Sequence, residues 1–261
     1  MKTFNYHTAK DSKEASKLSS SNSAFLAGGM TTIPSMKLGL ATYKDIIDIK
    51  NIKKLSGINV SSKSVTIGAT TKHAEVANSK EIKKAIPSLA SLAEGIGDPQ
   101  VRNRGTIGGS IANNDPSADY PSACIALNAV INTTERKIEA SKFFKGMFET
   151  ALKQGELIES VKFEIPEKSS YQKYPNPASR YAIVGVYVAK YKNGVNVGVT
   201  GAKSCVYNDK NISDVLSKSF SSTAIDNVKI PSSGMNSDIH ASAEYRANMV
   251  KIFAKKAVDA C

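Results

Sequence analysis

Between Gly95 and Pro121 the chain places Gly95, Gly97, Asp98-Pro99, Gly105, Gly108-Gly109, Asp115-Pro116 and Pro121. That density of helix and strand breakers predicts a long ordered loop without regular structure. Long loops held inside compact domains tend to be functional. A second glycine pair, Gly28-Gly29, abruptly ends the short apolar, strand-like run Ala24–Ala27. A chain of 261 residues with two such interruptions needs a reason to keep both.

The segments Ala27-Gly28-Gly29-Met30-Thr31 and Thr106-Ile107-Gly108-Gly109-Ser110 suggest one. A dinucleotide carries two negative charges on its diphosphate, and backbone N–H groups reach those oxygens closely only where side chains are absent. A loop that runs into a helix adds the positive end of the helix dipole. Thr31, Thr32, Thr106 and Ser110 supply hydroxyls for phosphate or ribose oxygens. Arg102 and Arg104, two of five arginines, suit an anion there or ordinary surface ion pairs. No Gly-Lys-Ser/Thr follows either pair and neither fits GxGxxG, which excludes a P-loop and leaves a Rossmann NAD site unsupported. Each glycine pair alone is what a tight turn would also show; two in one chain, with hydroxyl neighbours, point to a diphosphate. Asp119 fits a ribose acceptor or a helix cap before Pro121, while Asp115 reads as a turn residue.

Elsewhere the pattern is that of an ordinary globular chain, 41% hydrophobic and 22% charged. It predicts a helix over Ser12–Leu18 capped by Asp11, strands at Ile46–Ile49 and Val65–Ala69, and a helix-rich stretch from Thr71 to Glu94 interrupted at Pro87. A further helix is expected over Ser122–Leu127 and a strand over Ala129–Asn132. The prolines between Pro166 and Pro177 suggest a boundary. Beyond it, apolar runs flank Asn193-Gly194 as in a hairpin, and Ala243, Ala247, Val250, Ala254, Ala257 and Val258 recur at helical spacing. The net charge of +12 is lysine scattered in pairs, without a basic block or aromatic interleaving, so nucleic acid is not the expected partner. Three isolated cysteines and three scattered histidines offer neither a CxxC pair nor HExxH, so iron–sulfur or zinc chemistry would have to come from a partner. The start, MKTFNYHTAK, has no apolar core or cleavage site, and no apolar run is long enough to span a bilayer; a cytoplasmic protein is expected.

The segments AGGMTTIPSMK (27–37) and DPQVRNRGTIGGSIANNDPSADYP (98–121), with KYPNPASRYAIVGVYV (173–188) and SAEYR (242–246), resemble the FAD-binding subunits of the molybdenum hydroxylases. The medium subunit of aerobic carbon monoxide dehydrogenase is the nearer likeness and the FAD portion of xanthine dehydrogenase the more distant one. The resemblance implies an α+β fold: a two-subdomain FAD-binding region of the vanillyl-alcohol oxidase type over 1–170 (about 1–58 and 59–170), then a C-terminal domain of small antiparallel sheet and helices over 171–261. It further implies that Ala27, Gly28, Gly29, Met30, Thr31, Thr106, Ile107, Gly108, Gly109 and Ser110 wrap the FAD diphosphate. Asn113 and Asp119 would contact the ribityl–ribose side, and Tyr181 would lie near the isoalloxazine ring or serve as packing before a strand. Met30, where relatives carry a polar residue, and Ser110, in place of asparagine, depart from the pattern at points that would tune the flavin.

The family implies partners too: a small subunit with two [2Fe–2S] clusters and a large molybdopterin subunit, assembled as a dimer of heterotrimers. Electrons would pass from the clusters to the flavin and on to an external acceptor, with no catalytic side chain on this chain. The rival reading is a free-standing flavin oxidoreductase with its own small substrate. A basic binding module that has lost its cofactor is a third.

Overall fold

The computed structural model describes all 261 residues. Three main sheets, each with its own core, follow one another along the chain, with a fourth, two-stranded sheet inside the second unit, in keeping with the expected α+β class. The first unit alternates β1 (Asn5–Thr8), α1 (Ser12–Leu18), β2 (Ser23–Leu26), α2 (Thr32–Lys37) and β3 (Asp45–Asp48). Its strands are parallel in the order β1-β3-β2, with Phe25 beside Ile47. Asp11 caps α1 as its spacing predicts, its side chain accepting from the Glu14 N–H at 2.9 Å. The core here is small: Ala9, Ala15, Ile47, Ile49, Ile52 and Leu55, completed by Leu157 from the next unit. The first unit is therefore held partly by its neighbour.

The second unit is an antiparallel five-stranded sheet in the order β4-β5-β10-β6-β7. In chain order it runs β4 (Ile58–Val60), β5 (Ser64–Gly68), α3 (His73–Asn78), α4 (Lys80–Ala85), α5 (Pro87–Glu94), α6 (Pro99–Arg102), α7 (Ile107–Asn113) and α8 (Tyr120–Ala126). It continues with β6 (Val130–Thr133), β7 (Lys137–Glu139), α9 (Ala140–Phe143), the hairpin β8 (Phe144–Gly146) and β9 (Glu149–Thr150), and β10 (Ile158–Glu164). The largest core is here, with Val65, Ile67, Leu89, Ile107, Ile111, Ile131, Val161 and Phe163 buried together. Truncating one such side chain to alanine typically costs about 2–5 kcal/mol.

The segment from Gly95 to Pro121 corrects the expectation of no regular structure, because it holds α6, α7 and the start of α8. Its breakers sit at helix ends. Asp98 caps α6 ahead of Pro99 at the first helical position, and Thr106 caps α7. Asn114 closes α7 in the left-handed region at φ 44°, and Pro121 opens α8. Pro87 likewise starts α5 rather than merely interrupting a helix. Such punctuation marks the boundaries of helices and does not forbid the helices between them.

The third unit is the antiparallel sheet β11 (Lys168–Pro175), β12 (Ala182–Tyr191), β13 (Gly194–Thr200) and β14 (Tyr207–Asn208), covered by α10 (Lys210–Lys218) and α11 (Ala243–Asp259). The expected hairpin is present, but it turns at Lys192-Asn193, one residue ahead of the expected pair, with Gly194 already paired to Tyr191 as the first residue of β13. Helix α11 buries Ala247, Val250, Ala254, Ala257 and Val258 as their spacing predicts. The polar, proline-bearing stretch before it is strand β11. Helix α8 lies directly on this sheet: a Cβ at Gly198 would overlap the backbone carbonyl of Ser122. No helix is long and apolar enough to cross a membrane.

Candidate functional site

One cleft of about 470 Å³ opens where the three units meet, within the range of sites that take a small molecule or cofactor. The first unit contributes Phe25, Ala27–Thr32 and Ile49, and the second Ala69, His73, Thr106, Gly108–Ser110, Asn113, Asp115, Asp119 and Glu156–Ile158. The third contributes Ser179, Arg180 and Tyr181. Of the residues expected to hold the cofactor, all but Ile107 line this cleft; Ile107 is fully buried in the core of the second unit, and Arg102 and Arg104 are not among the lining residues. The two glycine segments thus face one space.

They are built differently. In the first, the N–H groups of residues 27–32 meet no acceptor within the chain, and Thr31 makes no side-chain cap to α2. The hydroxyls of Thr31 and Thr32 are equally unengaged. Gly29 turns the backbone through φ +73°, a left-handed conformation that suits glycine. A run of unpaired N–H groups on a turn is a concave anion receptor, and leaving them dry and unpaired would be costly.

The second segment spends its donors on the fold. Ile107 N–H bonds to Thr71 O at 3.1 Å, Gly108 N–H to Ala69 O at 2.8 Å and Ser110 N–H to Thr106 O at 3.0 Å. Gly109 N–H bonds to Thr106 Oγ1 at 3.2 Å. The reason for glycine at 108 is packing: a Cβ there would lie 2.6 Å from the Ala69 Cβ. Gly28 serves the same purpose between the segments, since a Cβ on it would overlap the Arg104 carbonyl. What the second segment turns to the cleft is the unengaged hydroxyl of Ser110, the unengaged amide of Asn113 and the start of α7.

Asp119 is committed within the protein. Its Oδ1 takes a salt bridge from Lys173 at 2.9 Å and accepts from Tyr171 OH at 2.5 Å, tying α8 to strand β11. Burial pushes its carboxyl above the usual range while Lys173 and Tyr171 pull against that. Oδ2 keeps no protein partner. Asp115 accepts from Ser117 N–H at 2.8 Å, the turn role expected of it, although it also reaches the cleft. Tyr181 is 44% exposed at the rim, and Met30 is 38% exposed.

Three cleft residues went unseen in the sequence. His73 is buried under Gly105, its N–H bonded to Gly105 O at 3.0 Å and its ring 5.4 Å from that of Tyr120. Burial first, and the Arg102 charge second, hold it down to about pH 4, so it is neutral at pH 7. Its Nδ1 and the Tyr120 hydroxyl are buried without partners. Glu156 is buried too; burial would raise it, but the Arg136 fork (3.0 and 3.1 Å), Thr133 Oγ1 (2.6 Å) and the Lys153 N–H (2.9 Å) together hold it below the usual carboxylate range. Arg180 stands at φ 61° and donates to Gly97 O at 3.1 Å. His73, the first residue of α3, and Glu156 lie outside the segments that carry the resemblance, while Arg180 lies within 173–188.

Comparison with known proteins agrees with this geometry. Residues 2–168 match the family described as FAD binding domain in molybdopterin dehydrogenase. The chain is 32% identical to the glyceraldehyde dehydrogenase medium chain of Sulfolobus acidocaldarius, covering 97% of this chain and 96% of that one. It is also 32% identical to the carbon monoxide dehydrogenase medium chain of Hydrogenophaga pseudoflava, over 98% and 96%. In structure it superposes on a chain of reconstituted CO dehydrogenase from Oligotropha carboxidovorans with a TM-score of 0.92 at 28% identity, covering 99% of this chain and 97% of that one. Open donors on one side of the cleft, hydroxyls on the other and a match over nearly the whole chain lead to one assignment: the protein belongs to the FAD-binding subunit family of the molybdopterin dehydrogenases, and its cofactor is FAD.

Proposed function

We propose that this chain is the electron-transfer subunit of a heteromeric molybdenum hydroxylase of the carbon monoxide dehydrogenase and xanthine dehydrogenase type. When bound, FAD supplies a two-electron carrier between the [2Fe–2S] clusters of a small partner subunit and an external acceptor. The observation that carries the reading is the unpaired N–H run of residues 27–32, which would hold the diphosphate with the hydroxyls of Thr31, Thr32 and Ser110. Asn113 and the free oxygen of Asp119 would take the ribityl–ribose hydroxyls, and Tyr181 would cover the ring end. The buried, neutral His73 and the Val101, Leu157 and Ile158 side chains supply apolar or uncharged lining to the cleft. No side chain of this chain is asked to donate or accept a proton in the substrate reaction, which belongs to a large molybdopterin subunit. The full particle would be a dimer of heterotrimers in the cytoplasm.

Isolation of the protein from its source, followed by flavin, iron and molybdenum analysis, tests this. The expected particle contains FAD, iron and molybdenum, with the flavin bleached when the hydroxylase substrate is added. A yellow protein of this chain alone, turning over its own substrate without either metal, would overturn the proposal.

A further inference from the structure

The five arginines fall into two groups. Arg136 pairs with Glu156 and Arg246 with Asp238. Arg102, Arg104 and Arg180 pair with no carboxylate, and two of these, from different units, meet on one atom. Arg102 Nη1 donates to Gly97 O at 3.0 Å, and also to Ile96 O at 3.0 Å; Arg180 Nη1 donates to the same Gly97 O at 3.1 Å. Two like charges sharing a carbonyl repel, and an anion beside them offsets that repulsion. Their Nε and Nη2 groups have no acceptor in the chain, and Arg180 and Gly97 line the cleft.

A second observation is independent of the first. Arg180 occupies the left-handed region at φ 61°, which glycine or asparagine fills more cheaply. Strain of this kind concentrates where a side chain is needed in place. The loop is pinned accordingly: Lys173 Nζ donates to Arg180 O at 2.9 Å and to Gly95 O at 2.9 Å. Guanidinium forks select phosphate by shape as well as charge.

We propose that Arg102 and Arg180 form a phosphate-binding subsite at the Gly97 edge of the cleft, built of residues other than the N–H run of 27–32. The inference rests on the flavin reading of the cleft. The phosphate belongs either to a second nucleotide that exchanges electrons with the flavin or to the FAD diphosphate itself, and one experiment separates them. Inorganic pyrophosphate is titrated calorimetrically at low ionic strength into the FAD-loaded complex and into the same complex stripped of flavin. The variants are R180N, which the left-handed backbone accepts, and R102Q.

If the loaded wild type binds pyrophosphate, and R180N weakens this at least tenfold with FAD content unchanged, the subsite serves a second nucleotide. If only the stripped protein binds it, and R180N weakens FAD itself at least tenfold, the subsite holds the cofactor; both results uphold it. Variants that bind pyrophosphate and FAD as the wild type does would overturn it. A wild type that takes up no FAD defeats the flavin reading instead, and the effect of R180N on pyrophosphate binding to that protein still decides the subsite.

Discussion

The backbone of Gly28 lies against the carbonyl of Arg104, so closely that a single methyl group on the glycine would overlap that oxygen. This contact brings the loop after β2 to the loop before α7. It explains how two segments far apart in the chain come to face one cleft. Glycine at 28 is there for the approach of two backbones, and Gly29 for the turn that leaves the following N–H groups open.

Substitutions at the glycines are therefore expected to differ. Gly28→Ala and Gly108→Ala should each destabilise the fold by about 1–3 kcal/mol through overpacking against backbone, and should lower FAD retention with it. Gly109→Ala, whose Cβ would meet only Thr106 Oγ1 at 3.0 Å, should change stability by less than about 1 kcal/mol. Thermal unfolding with and without FAD distinguishes the two cases.

His73 gives a pH signature. Its folded value, about 4, lies below the ordinary histidine value of 6.5. Between these, the unfolded chain binds a proton that the folded one refuses, so the contribution is full above pH 6.5 and is lost as pH falls toward 4. The loss reaches about 3 kcal/mol. Denaturant titrations from pH 7 to pH 4 should show that slope in the wild type and its absence in His73→Gln.

Asp119 is buried and the Lys173 side chain is only 10% exposed, so removing one leaves the other poorly compensated. Lys173→Met should cost about 3–5 kcal/mol, and the double change with Asp119→Asn should recover much of it. A double-mutant cycle of unfolding free energies reads the coupling. Near-zero coupling would mean that the pair does not join α8 to β11 in solution.

Tyr181 sits half exposed at the rim and packs little, so Tyr181→Ala should leave stability within about 0.5 kcal/mol. Flavin fluorescence and the visible spectrum of the bound cofactor should nevertheless shift. An unchanged spectrum would remove Tyr181 from the ring end.

Much of the fold was legible because its signals are local. The Asp11 cap, the hairpin beside Asn193-Gly194 and the α11 stripe each need only neighbours in sequence. The segment from Gly95 to Pro121 misled because caps and breakers are the same residues, and the packing of Gly108 against Ala69 within α7 joins positions far apart in the chain. The glycine segments were visible as a pair, but not the division between them, since which N–H groups remain free depends on Thr71 and Ala69 elsewhere in the chain. His73 and Arg180 reach the cleft, and Lys173 reaches Asp119, through sheet pairing and loop placement, which no spacing rule states.

The central claim is that the first glycine segment holds a diphosphate, and a comparison of two flavins tests it most directly. FAD carries that group and riboflavin lacks it. Hydrogen bonds to charged groups contribute about 1.5–3 kcal/mol each, so losing two or more should weaken binding by about 100-fold or more. Fluorescence titration of the flavin-stripped complex should therefore give FAD at least that advantage over riboflavin. Equal affinity for the two would contradict the account.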